Sequence, residues 1–277
     1  MSKHALEEEL EVARRLILEA GERIMSHYGQ VDVEHKAGDE PVTAADREAN
    51  ALLVEGLSRA FPEDGILAEE SRPSADWHEK RRIWCIDPVD GTKEFIAQNG
   101  EFAAMVGLVV EGRAALGLVL MPARGLLYYG GPDLPTVEEK LETGERRELK
   151  VSDRADFSEM GVAISRSHRS ERVGGMVERL GVTREVRSGS VGVKLAMVGN
   201  GEVDLYLHPS GGTKRWDACG PDAILAGAGG VLTDFHGRPI DYVSGEVHND
   251  SGLLASNGTR HAEIVELLAD LTEEAGL

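Results

Sequence analysis

The sequence is poor in cysteine and has no long apolar segment. Its two cysteines, Cys85 in an apolar stretch and Cys219 beside small residues, are too few for a disulfide framework, and we expect both to be buried thiols. No stretch approaches the length of a membrane span. The charged first residues, MSKHALEEELEVARR, lack the apolar core of a signal peptide. These absences predict a cytoplasmic protein that does not enter a membrane.

Positive charge is also scarce. The chain has 49 acidic residues against 30 Lys and Arg, a formal net charge of −19. This balance argues against a partner that is a nucleic acid polymer or an anionic membrane surface. A nucleotide-sized ligand stays compatible, because a small basic pocket can lie within an acidic surface. The 277 residues, of which 41% are hydrophobic, suffice for one large domain or two smaller ones that share a core.

The most informative stretch is residues 83–95, IWCIDPVDGTKEF. The apolar run at 83–86 predicts a buried strand. Pro88 and Gly91 are expected to stop that strand and to force a tight turn, and Thr92 is expected to be the N-cap of a short helix.

Two carboxylates, Asp87 and Asp90, fall in this turn and should lie on one side of it. They repel each other unless a cation lies between them, and Mg²⁺ prefers carboxylate and carbonyl oxygens. The amides of Gly91 and Thr92 can receive a phosphate. The alternative is that the two acids only cap a surface turn. The spacing excludes an EF-hand loop, which needs an acid at its twelfth position, and the aspartyl-phosphate phosphatases, whose acids stand two apart.

The preceding part of the chain predicts two helices and a strand. Helical spacing of apolar residues covers 5–28, residues 29–42 are polar and irregular, a second helix runs over 43–61, and a strand covers 66–68. Asp46 falls in the first turn of the second helix, where an acid ordinarily complements the helix dipole. Glu69 and Glu70 end the strand and would be a solvated terminus unless this strand lies beside the 83–86 strand, as short connections favour.

The remainder predicts a mixed fold. Residues 101–129 read as an antiparallel meander, and the polar stretch 131–147 as a surface excursion. We place the boundary between an N-terminal half, 1–150, and a C-terminal half, 151–277, close to residue 150. Strands are predicted at 161–165, 185–187, 203–207, 231–234 and 253–255, and helices at 169–180, 191–198, 217–228 and from 259. The fold class is α+β with an antiparallel-sheet first half and an α/β second half.

Three turns in the second half have residues suited to phosphate. They are 165–168 (SRSH), 188–190 (SGS), which opens a helix, and 214–217 (KRWD). Each alone is more often a capped helix or a solvated loop.

Together these residues resemble the inositol monophosphatase superfamily, the metal-dependent, lithium-sensitive sugar and nucleotide phosphatases. The resemblance is carried by DPVDGT at 87–92, by Glu69-Glu70, and by Trp216-Asp217 opening a small-residue helix that ends at Gly229-Gly230. DPVDGTKEF, SRSH and the stretch 213–237 are most similar to the 3′(2′),5′-bisphosphate nucleotidase branch. The resemblance implies a layered αβαβα sandwich.

The resemblance also implies which residues hold metal and activate water. The metal set is Glu69, Asp87, the carbonyl of Val89, Asp90 and Asp217, which would hold two to three Mg²⁺ ions, with Mn²⁺ as a substitute. Asp46 and Thr92 match the pair that orients and deprotonates the water, and Glu69 is counted with them as catalytic.

The residues implied to bind substrate are Gly91, Thr92, Lys93, Ser165, Arg166, Ser167, His168, Ser190, Lys194, Lys214, Arg215 and Asp217. The Gly91 and Thr92 amides would hold the phosphate that is cleaved. A bisphosphate needs cations in the second half, because the metals do not cover its second dianion.

The expected activity is Mg²⁺-dependent removal of the 3′-phosphate from adenosine 3′,5′-bisphosphate, giving AMP and phosphate. The alternatives are an inositol-1-monophosphatase or fructose-1,6-bisphosphatase activity at the same site and, in another class, a non-catalytic sensor of phosphorylated ligands. The expected partner is a small phosphorylated substrate, and the resemblance adds a homodimer.

Overall fold

The computed structural model describes residues 6–29, 33–35, 41–166 and 170–273, and all statements below concern these residues. The helices are α1 (Glu7–His27), α2 (Ala44–Ala60), α3 (Thr92–Ile96), α4 (Glu171–Leu180), α5 (Val191–Gly199), α6 (Arg215–Gly227) and α7 (His261–Glu273). The strands are β1 (Val33–His35), β2 (Pro41–Thr43), β3 (Gly65–Ala68), β4 (Arg82–Asp90), β5 (Ala103–Val110), β6 (Arg113–Met121), β7 (Leu126–Gly131), β8 (Leu134–Lys140), β9 (Glu145–Glu148), β10 (Gly161–Ser165), β11 (Arg184–Ser188), β12 (Leu205–His208), β13 (Val231–Thr233) and β14 (Leu253–Ser256).

The first large sheet has seven strands in the order β3-β4-β5-β6-β7-β8-β9. Strands β3 and β4 are parallel and the others pair antiparallel, which confirms the predicted meander. The predicted surface excursion over 131–147 is wrong, because β8 and β9 extend the sheet there. The polar sequence reflects an edge: every residue of β9 is exposed, and charged side chains on an edge strand discourage pairing with another chain. The stretch 29–42 also departs from its prediction, since β1 and β2 pair within and beside it.

Helices α1 and α2 cover one face of this sheet. Their apolar stripes and the facing strand residues form one buried cluster, which includes Ile17, Ile24, Leu53, Leu57, Trp84, Ile86, Leu108 and Leu118. The packing follows from helical spacing on one side and strand alternation on the other.

The second sheet has five strands in the order β11-β10-β12-β14-β13. Strand β10 is parallel to β11 and β12, and β14 is antiparallel to both of its neighbours. Helices α4 and α7 cover its outer face with a cluster that includes Val162, Ile164, Met176, Leu180, Leu254 and Leu268. Helices α5 and α6 lie between the two sheets. The layers are therefore αβαβα, as the resemblance implied, whereas the division of the chain near residue 150 stays a prediction.

Helix α6 approaches the first sheet through glycine. A Cβ on Gly117 of β6 would lie 1.9 Å from the carbonyl oxygen of Gly220 in α6, and a Cβ on Gly107 of β5 would lie 2.5 Å from the amide nitrogen of Gly220. Backbone thus meets backbone, which fixes the height of α6 over the sheet. No helix in the described part of the chain is long and apolar enough to cross a bilayer.

Candidate active site

Parallel pairing of β3 with β4 brings two acidic segments side by side. Ala68 is opposite Ile86, and the amide of Glu69 donates to the carbonyl oxygen of Ile86 at 3.1 Å. Glu69 therefore follows its strand at the level where Asp87 follows Ile86. The sequence analysis expected Glu69 to be more than a solvated strand end only if its strand lay beside the 83–86 strand. The pairing of β3 with β4 meets that requirement.

A β-bulge turns Asp87 and Asp90 toward the same side. Asp87 is opposite Met105 and Asp90 is opposite Ala103, so β4 has one residue more than β5 over this interval. Residues three apart in a regular strand face opposite sides, and the extra residue corrects this. The predicted tight turn after residue 86 is wrong, since β4 continues to Asp90 through Pro88, but the two acids share a side as expected.

The strand ends at Asp90, and Gly91, which has a φ of 91°, caps α3. Thr92 is the first helical residue and not the N-cap, a further correction. Its hydroxyl lies 3.2 Å from the carbonyl oxygen of Val89 and 3.3 Å from Oδ1 of Asp46. Oδ2 of Asp46 accepts from the amide of Thr43 at 2.8 Å and from its hydroxyl at 2.6 Å. Asp46 is thereby held in one orientation with Oδ1 turned to Thr92.

Asp217 comes from α6 in the other half of the chain. Its Oδ2 accepts from the amide of Lys214 at 2.7 Å, a contact that fixes the side chain across the first turn of the helix. The glycine contacts of α6 with β5 and β6 place the first turn of α6 beside the end of β4. Three chain segments therefore deliver Glu69, Asp87 and Asp217 to one place.

The pKa values of these acids reflect how close they lie to one another. Burial raises the pKa of Asp87 well above its ordinary value, and the charges of Glu69, Asp90 and Asp217 raise it further. Burial likewise raises the pKa of Asp217, followed by the charges of Asp90 and Glu69. A hydrogen bond with Glu69 adds to the rise in the pKa of Asp87, whereas a hydrogen bond with Asp87 lowers the pKa of Asp217. The cluster therefore concentrates negative charge that a cation would stabilise.

The donor chemistry of this cluster suits a hard divalent cation. Within the described ranges, no group of three or more His, Cys, Asp and Glu side chains is arranged so that it could hold a metal ion as it stands. The donor atoms are all oxygen, the set that Mg²⁺ and Mn²⁺ prefer.

Asp90 is the last residue of β4, and its side chain contacts the N-terminus of α5. Its Oδ2 accepts from the Ser190 hydroxyl and, at 2.8 Å, from the amide of Gly192. Burial raises its pKa and the charge of Lys194 opposes that change. Lys194 is 2% exposed, and its ammonium donates to the carbonyl oxygens of Gly189 and Ser190. Burial lowers the pKa of Lys194 to about 8.

A cavity of 210 Å³ opens over these groups. It is lined by Asp90, Gly91, Lys93, Glu94, Ser165, Gly189, Ser190, Val191, Lys194, Tyr206, His208, Gly212, Thr213 and Asp217. The substrate residues expected from the sequence that lie on it are Gly91, Lys93, Ser165, Ser190, Lys194 and Asp217. Ser167 and His168 lie outside the described residues.

Three other expected substrate residues are placed differently. Arg166 is exposed, and its guanidinium pairs with Glu101 at 2.6 Å, the same carboxylate that accepts from the amide of Gly189. Lys214 contributes its backbone amide to Asp217. Arg215 donates to Oδ1 of Asn249 and lines a separate cavity of 330 Å³.

Sequence reasoning missed several residues that line the cavity: Glu94, Gly189, Tyr206, His208 and Thr213. Glu94, Gly189 and Thr213 lie within stretches that the sequence analysis singled out, 83–95, 188–190 and 213–237, but were not assigned to the site. Tyr206 and His208 stand two apart at the end of β12, so they share a face of that strand. That spacing, just before residues 213–217, was the signal that could have found them.

Comparison with known proteins places this architecture among phosphatases that act on small molecules. A model of the inositol monophosphatase family matches residues 5–274. The chain belongs to this family and is a phosphatase, and the family in general depends on Mg²⁺.

Individual relatives fall in two branches of the family. The 3′(2′),5′-bisphosphate nucleotidase CysQ of Escherichia coli K12 is 34% identical over 246 residues, which cover 87% of this chain and 97% of that protein. A fructose-1,6-bisphosphatase/inositol-1-monophosphatase of Thermotoga maritima is 32% identical over 271 residues, 96% of this chain and 98% of that protein.

Solved structures show the same two branches. An IMPase of T. maritima has a TM-score of 0.80 at 29% identity and covers 96% of this chain and 99% of its own. CysQ of Bacteroides thetaiotaomicron has a TM-score of 0.77 at 25% identity and covers 92% and 99%.

Proposed function

We propose that this phosphatase is a Mg²⁺-dependent 3′(2′),5′-bisphosphate nucleotidase that converts adenosine 3′,5′-bisphosphate to AMP and phosphate. The observation that carries the proposal is the similarity to CysQ over almost the whole of that relative. The buried ammonium of Lys194 beside the acidic cluster supports it, because a second phosphate group needs positive charge of its own.

The metal would be held by Glu69, Asp87, the carbonyl of Val89, Asp90 and Asp217. When bound, Mg²⁺ supplies the positive charge that neutralises the phosphate oxygens. The number of ions, two to three, and the exchange of Mg²⁺ for Mn²⁺ belong to the proposal.

The protein's own residues would orient and deprotonate the attacking water. The Thr92 hydroxyl positions the water, and Asp46, held by Thr43, accepts its proton, with Glu69 assisting. The amides of Gly91 and Thr92, at the start of α3, would hold the phosphate that is cleaved. The position of Asp46 next to Thr92 supports these roles.

A second candidate is an inositol-1-monophosphatase or fructose-1,6-bisphosphatase activity at the same site. It is favoured by the similarity to the T. maritima enzyme, which covers nearly the full length of both chains. The third is a sensor that binds phosphorylated ligands without cleaving them.

A substrate panel separates the candidates. We expect release of phosphate from adenosine 3′,5′-bisphosphate, in Mg²⁺, to exceed release from inositol 1-phosphate and fructose 1,6-bisphosphate at equal concentration. A preference above tenfold for either of the latter would replace the proposed substrate. Lithium at tens of millimolar should inhibit the reaction, as the resemblance implies.

The roles are tested with Asp46→Asn against Asp133→Asn, an exposed acid away from the site. Loss of the general base should lower kcat by a factor of about 10² to 10⁴, and the control should keep the parent's kcat. Equal phosphate release by Asp46→Asn and the parent would contradict the role of Asp46. A cytoplasmic location and a homodimer stay predictions, the latter open to sedimentation.

A further inference from the structure

The hydroxyl of Tyr206 is a buried polar group without a hydrogen-bond partner among the described residues. The residue is 1% exposed and lines the 210 Å³ cavity. Buried hydroxyls are nearly always hydrogen bonded, and an unsatisfied one destabilises the fold. The group therefore requires a partner that the described residues do not supply.

The ring of Tyr206 is held by two neighbours. The ammonium of Lys194 lies 5.4 Å from its centroid, and the ring of His208 lies 6.2 Å away at 36°. The ammonium donates to the carbonyl oxygens of Gly189 and Ser190. Packing thus determines where the hydroxyl is, in a residue that lines the same cavity as Asp90 and Asp217.

The hydroxyl is suited to donate. Burial raises the pKa of Tyr206 well above its ordinary value, and the charges of Asp90 and Asp217 raise it further. The group therefore keeps its proton throughout the physiological range, and an oxygen atom that accepts a hydrogen bond is its natural partner.

Building on the proposed function, we propose that the Tyr206 hydroxyl donates a hydrogen bond to the leaving group of a phosphomonoester, at a hydroxyl or second phosphate close to the cleaved ester. Tyr206 comes from the second sheet, whereas Asp46 and Thr92 come from α2 and the start of α3. Attack and departure take place on opposite sides of phosphorus, so groups facing Asp46 and Thr92 meet the leaving group.

Stability gives a test that does not depend on activity. Tyr206→Phe removes the unsatisfied hydroxyl and keeps the ring, so the metal-free variant should unfold at the parent's temperature or above it. The matched control is Tyr242→Phe: Tyr242 is 2% exposed, but its hydroxyl donates to Asp222 at 2.9 Å. The control should unfold at a lower temperature and keep the parent's KM. A clear loss of stability in Tyr206→Phe would show a structural partner and overturn the inference.

Two substrates locate the contact. For adenosine 3′,5′-bisphosphate, Tyr206→Phe should raise KM about tenfold, which corresponds to about 1.4 kcal/mol. For p-nitrophenyl phosphate, whose leaving group has no oxygen beside the ester, the change should stay below about twofold. An equal rise for both would place the hydroxyl on the transferred phosphate, and no rise for either would leave it without a substrate role; both results overturn the proposal.

The outcome also separates this inference from the function on which it rests. A parent protein that hydrolyses none of the phosphomonoesters would overturn the proposed function. A parent that hydrolyses adenosine 3′,5′-bisphosphate, together with a Tyr206→Phe variant of unchanged KM, would overturn the role of Tyr206 alone. Thermal shift with AMP provides the binding readout: the rise in melting temperature should be smaller for Tyr206→Phe than for the parent and unchanged for Tyr242→Phe.

Discussion

Replacing Asp87 with asparagine should stabilise the metal-free protein and remove its response to Mg²⁺. The amide oxygen keeps the bond from the amide of Val89, which is 3.0 Å long, and the NH₂ group can donate to Glu69 and Asp217. The variant therefore removes a buried charge without leaving a new unpaired group. This distinguishes it from a truncation to alanine.

The magnitude follows from the raised pKa and the chain length. A carboxyl whose pKa is raised by folding loses stability as the pH rises above its unfolded pKa, and the loss is about 1.4 kcal/mol for every pH unit that separates the folded pKa from the unfolded one. For 277 residues the unfolding entropy is about 0.6 kcal/mol/K near 60 °C, so each 1.4 kcal/mol of lost stability lowers the melting temperature by about 2 °C. A cation at about 100 times its Kd adds about 2.7 kcal/mol, or about 5 °C, to the parent.

The assay is thermal unfolding at pH 8 with EDTA or with Mg²⁺. With EDTA the variant should unfold above the parent, and with Mg²⁺ only the parent should gain about 5 °C. Asp133→Asn, an exposed change, should behave as the parent does in both buffers. Equal stabilisation of Asp87→Asn and the parent by Mg²⁺, or a variant that unfolds first in EDTA, would refute the reasoning.

Three further outcomes follow from other contacts. Burial raises the pKa of Asp222 to about 7, so the parent should lose stability between about pH 4 and pH 7; Asp222→Asn, whose amide oxygen can still accept from Tyr242, should flatten that part of the curve in urea titrations. Gly117→Ala should cost about 3 kcal/mol or more and lower kcat, because its Cβ would overlap the backbone of α6, and normal melting would contradict that contact. Glu101→Gln should weaken the hold on Arg166 and change KM while kcat stays within about twofold, because the Arg166 partner of the ion pair is largely exposed; a large fall in kcat would show that this ion pair influences the chemical step.

Local signals were sufficient for most of the fold. Apolar spacing predicted the helices near α1 and α2, and alternation predicted the meander of β5 to β7. The failure at β8 and β9 has a physical origin, since an edge strand with exposed faces carries the same polar residues as a loop. Proline at residue 88 was a second misleading signal, because a bulge accommodates it within β4.

The candidate site was predictable in part. The acids at strand ends were visible in the sequence, and parallel pairing of β3 with β4 explains how Glu69 reaches Asp87. The direction of exposed side chains was not visible in the sequence. Arg215, for example, points to Asn249, a hydrogen-bond partner 34 residues away along the chain. Tyr206 escaped notice because a hydroxyl without a partner is a property of the packed structure and not of any motif.

The bare backbone contact between α6 and the first sheet has a consequence for how such a protein can diversify. Gly107, Gly117 and Gly220 are mutually constrained, so a change at one requires a compensating change at another. Cavity residues such as His208 take no part in this contact between backbones. We therefore expect related proteins to preserve the glycines of this contact while the cavity residues of the second sheet vary. Such proteins would acquire new preferences for leaving groups and keep the same metal and water-activating residues.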